Sequence, residues 1–235
     1  MLAATPDQLQ HIGALAAALV NPGDRVGLGS GRAALAFVRA LGKRVREENL
    51  RITSVSTSLL TEKVAVEAGI TLSSLMQVDQ LDIAVDGADE VDPDLNLIKG
   101  GGGNLTREKV VESIAKKLVI VVGQEKIVEH LGTYFPVSVE VIEFALPVVI
   151  RRIQAMGGIV EQRKNADGSI FLTDNNNPYL HVRFGPPPHH LANPAELDRV
   201  LRLIPGVVET GLFVGMASEA IVAQFDGTVR ILKKI

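Results

Sequence analysis

DIAVDGADEVDPDLNLIKGGGGNLTREKVVESIAKKLVIVV, residues 82–122, holds the strand–helix–strand pattern that decides the fold class. Residues 82–85 read as a short strand, and residues 118–122 (LVIVV) are apolar at every position. A strand that faced water on one side would alternate, so LVIVV is expected to be covered on both faces. Residues 105–117 read as a helix, because Val111, Ala115 and Leu118 fall on one stripe at the helical period. Glu108 continues that stripe into the first turn, whereas Lys109, Glu112 and Lys116 are expected to point away from it. A helix joining two buried strands is the repeating unit of a parallel α/β sheet.

The same alternation extends outward from about residue 6 to residue 130. A helix starts at Pro6-Asp7 and stops at Asn21-Pro22-Gly23. Strand 24–28, a glycine-rich turn, helix 33–48, strand 51–56 and helix 60–68, closed by Gly69, follow. Past Pro136 the rhythm changes. Residues 137–142 read as a strand and 146–156 as a helix closed by Gly157-Gly158. Residues 159–163 and 170–173 form an expected hairpin around Asn165-Ala166-Asp167-Gly168. After the prolines at 186–188 come a helix over 194–203 and a strand over 207–213. The order βαββαβ suits a small ferredoxin-like α+β unit. The tail alternates around Asp226-Gly227 and is expected to return to the first domain as a hairpin.

Composition narrows the function classes. The chain has 235 residues, 46% of them hydrophobic, with a mean hydropathy of +0.23. That suffices for one large core or two small ones. A net charge of −3 gives no global positive field for nucleic acid. The absence of cysteine removes disulfides, thiolate nucleophiles and cysteine metal sites, and sits well with a cytoplasmic location. The N-terminal MLAATPDQLQHIGALAAALV lacks the basic start of a signal peptide, and no apolar run approaches the ~20 residues of a membrane span. A soluble protein with no membrane partner is expected.

Four segments could carry chemistry. Gly27-Leu28-Gly29-Ser30-Gly31-Arg32 is a glycine-rich turn between a strand and a helix, where amides and the helix dipole favour an anion. The second strand ends in Ser54-Val55-Ser56-Thr57-Ser58 and offers no acidic residue for an adenosine ribose, which disfavours a dinucleotide. Asp86-Gly87-Ala88-Asp89-Glu90 follows a strand directly, where α/β sheets bind ligands. Asp92 and Asp94 raise the question of a metal, but the spacing is not that of an EF-hand loop, and Lys99 supplies positive charge nearby in sequence; no required metal is expected. In Lys99-Gly100-Gly101-Gly102-Gly103-Asn104 the lysine precedes the glycines, the reverse of a nucleotide P-loop. Four glycines are costly to order, so the run is either a flexible linker or a place where backbone approaches a ligand closely. Glu108, at the edge of a core, combines desolvation, which strengthens a base, with a helix N-terminus, which favours its charged form. The five histidines show no metal or triad spacing.

Taken together, GLGSG, Thr61-Glu62-Lys63, DGADE, KGGGG, LTREK and Lys126, in that order, resemble the ribose-5-phosphate isomerase A family. The likeness runs on through VSVEVI at 137–142, Thr173-Asp174-Asn175 and IPGVVETGLF at 204–213. It implies an α/β fold: a Rossmann-like parallel-sheet domain over 1–131 plus 212–235, and a smaller ferredoxin-like α+β domain over 132–211, in a homodimer or homotetramer. It implies interconversion of ribose 5-phosphate and ribulose 5-phosphate in the non-oxidative pentose phosphate pathway, with a sugar phosphate as the small-molecule partner and no cofactor. Glu108 becomes the base, and Asp86 and Asp89 lie against the sugar hydroxyls, with Asp86 a candidate for helping ring opening. Lys99 with the amides of Gly100, Gly101 and Gly102 stabilises the enediolate, and Lys126 contacts substrate. Gly87 and Ala88 complete the acidic loop, and Ser30, Gly31, Arg32 and Ala33 take the phosphate.

The departures are local. The family's phosphate loop usually reads Thr-Gly-Ser-Thr, whereas Ser30-Gly31-Arg32-Ala33 loses two hydroxyls and gains an arginine able to hold a phosphate through two bonds. The serine-rich loop is changed at residues 55–60, Gln10 stands near a usual lysine, and His181 falls near a usual acidic position. Competing readings are an isomerase of another sugar phosphate, a non-catalytic sugar-phosphate sensor, and, by fold analogy alone, a coenzyme A transferase.

Overall fold

The structure is a computed structural model that describes residues 3–185 and 190–234, so the prolines at 186–188 and His189 lie outside the described residues. In chain order the elements are α1 (Pro6–Ala17), β1 (Arg25–Leu28), α2 (Gly31–Glu47), β2 (Thr53–Ser56), α3 (Leu59–Glu67) and β3 (Ile83–Asp86). There follow β4 (Glu90–Val91), β5 (Leu97–Ile98), α4 (Leu105–Ser113), β6 (Leu118–Gly123), β7 (Val137–Val141), α5 (Leu146–Ala155) and β8 (Gly158–Gln162). The chain closes with β9 (Tyr179–Phe184), α6 (Pro194–Arg202), β10 (Val207–Thr210), β11 (Leu212–Phe213), β12 (Glu219–Ala223) and β13 (Val229–Lys233).

Two compact units result. The first comprises Met1–Ala88, Arg107–Ile127 and Met216–Ile235, and the second Asp89–Thr106 and Val128–Gly215. The division differs from the expected boundaries in grouping residues 89–106, 128–131 and 212–215 with the second unit. The reason is strand pairing: β4 and β5 form a three-stranded sheet with β11.

In the first unit a six-stranded sheet has the order β13-β12-β6-β3-β1-β2. Strands β12 to β2 are parallel, and β13 folds back antiparallel on β12 as the tail pattern predicts. All six residues of β6 are buried, the expected signature of LVIVV. Helix α1 is held at its start by a capping box between Thr5 and Gln8, and packs Leu9, Ile12 and Ala16 into the core with Phe37 and Leu41 of α2. Helix α4 ends at Ser113, and Lys109 and Glu112, expected to face away, are buried (8% and 3% exposed). An apolar stripe identifies one buried face of a helix but leaves open whether the other faces are covered too.

The second unit carries a four-stranded antiparallel sheet of order β10-β7-β9-β8, with α5 joining β7 to β8 and α6 joining β9 to β10. This is the βαββαβ arrangement expected of a ferredoxin-like unit. Its core includes Val139, Val141, Val149, Ile153, Leu180 and Leu201. Two local expectations are corrected. β8 pairs with β9, from Gly158↔Phe184 to Gln162↔Leu180, while 170–173 forms only isolated bridges, Lys164↔Ile170 and Leu172↔Pro178. Both segments have strand character, and β9 wins because it also pairs with β7 on its other edge. The expected single strand over 207–213 breaks at Gly211, and its halves enter different sheets.

One polar cluster on the first unit makes a pH prediction. Asp82 accepts hydrogen bonds from Lys116 Nζ (2.8 Å) and from the Arg25 backbone and Nε (2.9 and 3.3 Å), and these hold its carboxyl well below the usual carboxylate range. A carboxyl whose pKa is depressed by folding stabilises the protein above its unfolded pKa of about 3.9 and loses that effect as pH falls below it. Asp82→Asn is therefore expected to lower the melting temperature at pH 7, with the gap to wild type shrinking below about pH 4. A gap that does not change with pH would contradict this.

Candidate active site

The first unit brings three expected residues together where β1 and β3 end. Leu28 pairs with Val85 and Asp86 with Ile120, and the Gly29 amide donates to the Val85 carbonyl (2.9 Å), so the turn after β1 lies beside the end of β3. Gly29 is required there, because a Cβ at that position would lie 2.2 Å from the carboxyl carbon of Asp86. Asp86 is 1% exposed, and its Oδ1 accepts from the amides of Ser30 (2.8 Å) and Gly87 (2.7 Å). Ser30 is the N-cap of α2, yet its hydroxyl makes no cap bond and donates instead to Glu108 Oε1. Ser30 thus joins two buried carboxylates from separate elements, Asp86 after β3 and Glu108 on α4.

Past Ser30 the chain enters α2 through Gly31, whose φ of +80° lies in the left-handed region that glycine favours. Gly31 and Arg32 are exposed and Ala33 is half-buried, and first-turn amides lack carbonyl partners within their helix. That is the geometry of an anion site at a helix N-terminus. Thr61, part of the Thr61-Glu62-Lys63 motif, supports this turn from behind. It is fully buried and its Oγ1 donates to the Gly29 carbonyl (2.9 Å), while its amide donates to Ser58 Oγ (3.0 Å) at the cap of α3. The Ser58-x-x-Thr61 spacing carries the cap signal, but only the fold reveals the bond to Gly29. Lys126 ends a short 3-10 turn after β6 and is half-buried.

The second unit holds the other expected residues. Asp89 is half-buried and its Oδ2 accepts from the Gly101 amide (2.7 Å). Lys99 is 2% exposed, with Nζ 5.3 Å from the centre of the Phe213 ring. Its backbone N–H donates to the Gly211 carbonyl (2.9 Å), and a Cβ at 211 would fall 2.3 Å from the Lys99 carbonyl oxygen. The glycine that splits the expected strand is therefore the one that admits the Lys99 backbone. Gly100 is buried and Gly101 and Gly102 are exposed. A cavity of about 370 Å³ in this unit is lined in part by Asp89, Gly101, Ser138, Glu161, His181 and Arg183. Burial and then the Arg163 charge lower the pKa of His181 from its ordinary value, against the opposing pull of Glu161 and Asp89.

The acidic run separates into distinct jobs. Glu90 is fully buried and accepts from the amides of Gly132 (2.6 Å), Phe135 (2.8 Å) and Tyr134. Asp92 closes a turn by accepting from the amides of Asp94 (3.0 Å) and Asn96 (2.7 Å) and from Asn96 Nδ2 (3.0 Å). Among the described residues, no group of three or more His, Asp or Glu is placed to hold a metal ion. Among the same residues, no helix is long and apolar enough to cross a membrane.

Known proteins match this chain over nearly its whole length. The family model described as ribose 5-phosphate isomerase A (phosphoriboisomerase A) matches residues 53–227. A ribose-5-phosphate isomerase A of Synechococcus sp. (strain JA-3-3Ab) is 45% identical over 226 residues, covering 95% of this chain and 96% of that protein. The solved ribose 5-phosphate isomerase A of Methanocaldococcus jannaschii superposes with a TM-score of 0.91 at 39% identity, covering 97% of this chain and 99% of that one. A D-ribose-5-phosphate isomerase solved in complex with phospho-erythronic acid gives a TM-score of 0.91 at 34% identity, covering 99% of this chain and all of that one. The chain belongs to the ribose 5-phosphate isomerase A family.

Proposed function

We propose that the chain interconverts D-ribose 5-phosphate and D-ribulose 5-phosphate through an enediolate, with Glu108 as the base. The observation that carries this reading is Glu108 itself: a buried carboxylate at the start of a helix, oriented by the Ser30 hydroxyl in the turn that also engages Asp86. Glu108 takes the proton from C2 of the open-chain aldose. The C–H electron pair forms the C1=C2 bond, and the carbonyl pair moves onto O1. Return of the proton to C1, with transfer of the O2 proton to O1, completes the ketose. The step needs a positioned base and fixed donors for the developing oxyanion. The Lys99 ammonium and the glycine-loop amides fill the second role. Asp86 and Asp89 take sugar hydroxyls, with Asp86 assisting ring opening, and Lys126 contacts substrate. The first turn of α2, Ser30 to Ala33, takes the phosphate, with Arg32 replacing lost hydroxyls. Phospho-erythronic acid, seen with a solved relative, supports this chemistry: its planar carboxylate mimics the two oxygens of an enediolate.

The test is turnover of ribose 5-phosphate by purified protein in D2O. Ribulose 5-phosphate carrying solvent deuterium is the expected product. Neither turnover nor exchange would overturn the proposal, while higher kcat/KM on a hexose phosphate would shift it to another sugar.

A further inference from the structure

The glycine run at 100–103 is ordered by side chains from β9 and from the excursion between β8 and β9, all within the second unit. The Tyr179 hydroxyl, on a fully buried ring, donates to the Gly100 carbonyl. Arg163 Nη1 donates to the Gly101 carbonyl (3.0 Å), and Asp89 accepts from the Gly101 amide (2.7 Å). Phe171 closes the far end, since a Cβ on Gly103 would lie 2.5 Å from its Cζ. The loop's own Gly103 amide bonds the Gly100 carbonyl (2.9 Å), and Gly100 and Gly103 have φ of +105° and +90°. Arg163 itself lies over the Phe171 ring, its guanidinium carbon 3.9 Å from the ring centre, and that ring meets Tyr179 edge-on at 5.9 Å.

A trans peptide is planar, with its C=O and N–H pointing in opposite directions. A donor that holds the carbonyl of one residue therefore aims the amide of the next. Tyr179 on the Gly100 carbonyl sets the Gly101 amide, which Asp89 receives. Arg163 on the Gly101 carbonyl turns the Gly102 amide the opposite way. Without these holds, four glycines would spread over many conformations, and fixed donors are worth most when they need no reorganisation.

We propose that Arg163 and Tyr179 are positioning residues that fix the Gly100–Gly102 loop, so that the Gly102 amide is preset for the enediolate while the Gly101 amide stays on Asp89. This rests on the isomerase reading above, and adds to it a pair of side chains from the ferredoxin-like unit that touch no reacting atom. Their signature is a fall in kcat with little change in KM, because the ground-state carbonyl needs the preset amide less than the enediolate does.

The experiment compares wild type with Tyr179→Phe, Arg163→Met and Arg163→Lys, reading kcat, KM for ribose 5-phosphate, the inhibition constant of phospho-erythronic acid and melting temperature. Displacing a preset donor by about 1 Å costs on the order of 10²-fold in rate, so Arg163→Met is expected near that loss and Tyr179→Phe nearer ~10-fold. Inhibitor affinity should weaken alongside kcat, KM should stay within about threefold, and Arg163→Lys should recover part of the loss. Tyr179→Phe keeps the ring and its packing, which leaves a folded variant to measure if Arg163→Met does not fold. A lower melting temperature with unchanged kcat and inhibitor affinity would make the pair merely structural and overturn the proposal. No turnover by wild type would instead overturn the isomerase reading.

Discussion

Glu108→Gln is expected to lower kcat by about 10³-fold, within the 10²–10⁴ range typical of a positioned general base. The amide keeps the size of the side chain and an oxygen that can accept from the Ser30 hydroxyl, so the hydrogen bond into the turn after β1 can persist. What is lost is the capacity to take a proton. Substrate binding should change little, so KM stays near its wild-type value and kcat/KM falls with kcat. Exchange of solvent deuterium into the sugar should fall by the same factor, because it reports proton abstraction directly. Kinetics in D2O together with a melting curve separate this from unfolding. Near-wild-type kcat in a stably folded variant would remove Glu108 from the base role.

Glu140→Ala is expected to be strongly destabilising, by about 3–5 kcal/mol, since an orphaned buried donor costs about 1–3 kcal/mol and a cavity adds to it. Glu140, on β7, is fully buried and gathers four donors: Thr106 Oγ1 (2.6 Å), Asn177 Nδ2 (2.8 Å), Thr173 Oγ1 (3.0 Å) and Asn175 Nδ2 (3.1 Å). Thr173 in turn accepts from the amides of Asn175 (3.2 Å) and Asn177 (3.3 Å), so one carboxylate organises the whole turn before β9. It also holds the Thr106 hydroxyl within the same unit. Alanine would leave these donors with no acceptor at Glu140 while making a cavity, and both costs act in the same direction. Glu140→Gln should lose less, since it keeps one oxygen but sets an NH2 among donors. Urea denaturation gives the values, and a loss under about 1 kcal/mol for the alanine variant would contradict the network.

Several features of both fold and site were legible along the chain because their physical cause is local. LVIVV declares a strand covered on both faces, and the burial of every residue in β6 follows from it. The change of rhythm after Pro136 separates α/β from α+β. Glycines mark the turns, and DGADE, KGGGG and LTREK carry the family likeness as short runs at element ends. Other features were not legible because they depend on partners far along the chain. Tyr179 reads as one more strand aromatic, and Glu140 as one more acidic residue in VSVEVI, until the fold brings Gly100 to the first and four donors to the second. The burial of Lys109 and Glu112 is not written in the helical period, which measures apolarity on one face and says nothing of what covers the others.

By itself, then, the sequence determined the fold class, the βαββαβ order of the second unit, the family, and the residue types of the candidate site. Those rest on hydrophobic period, turn chemistry and short motifs, all readable within about ten residues. Tertiary structure alone decided which strand partners β8, which residues leave the first domain, and how Ser30 links Asp86 to Glu108. It also decided what holds the glycine loop in place. The reason is the same in each case: strand pairing and buried hydrogen bonds are chosen between segments tens of residues apart, by competition that no local pattern records.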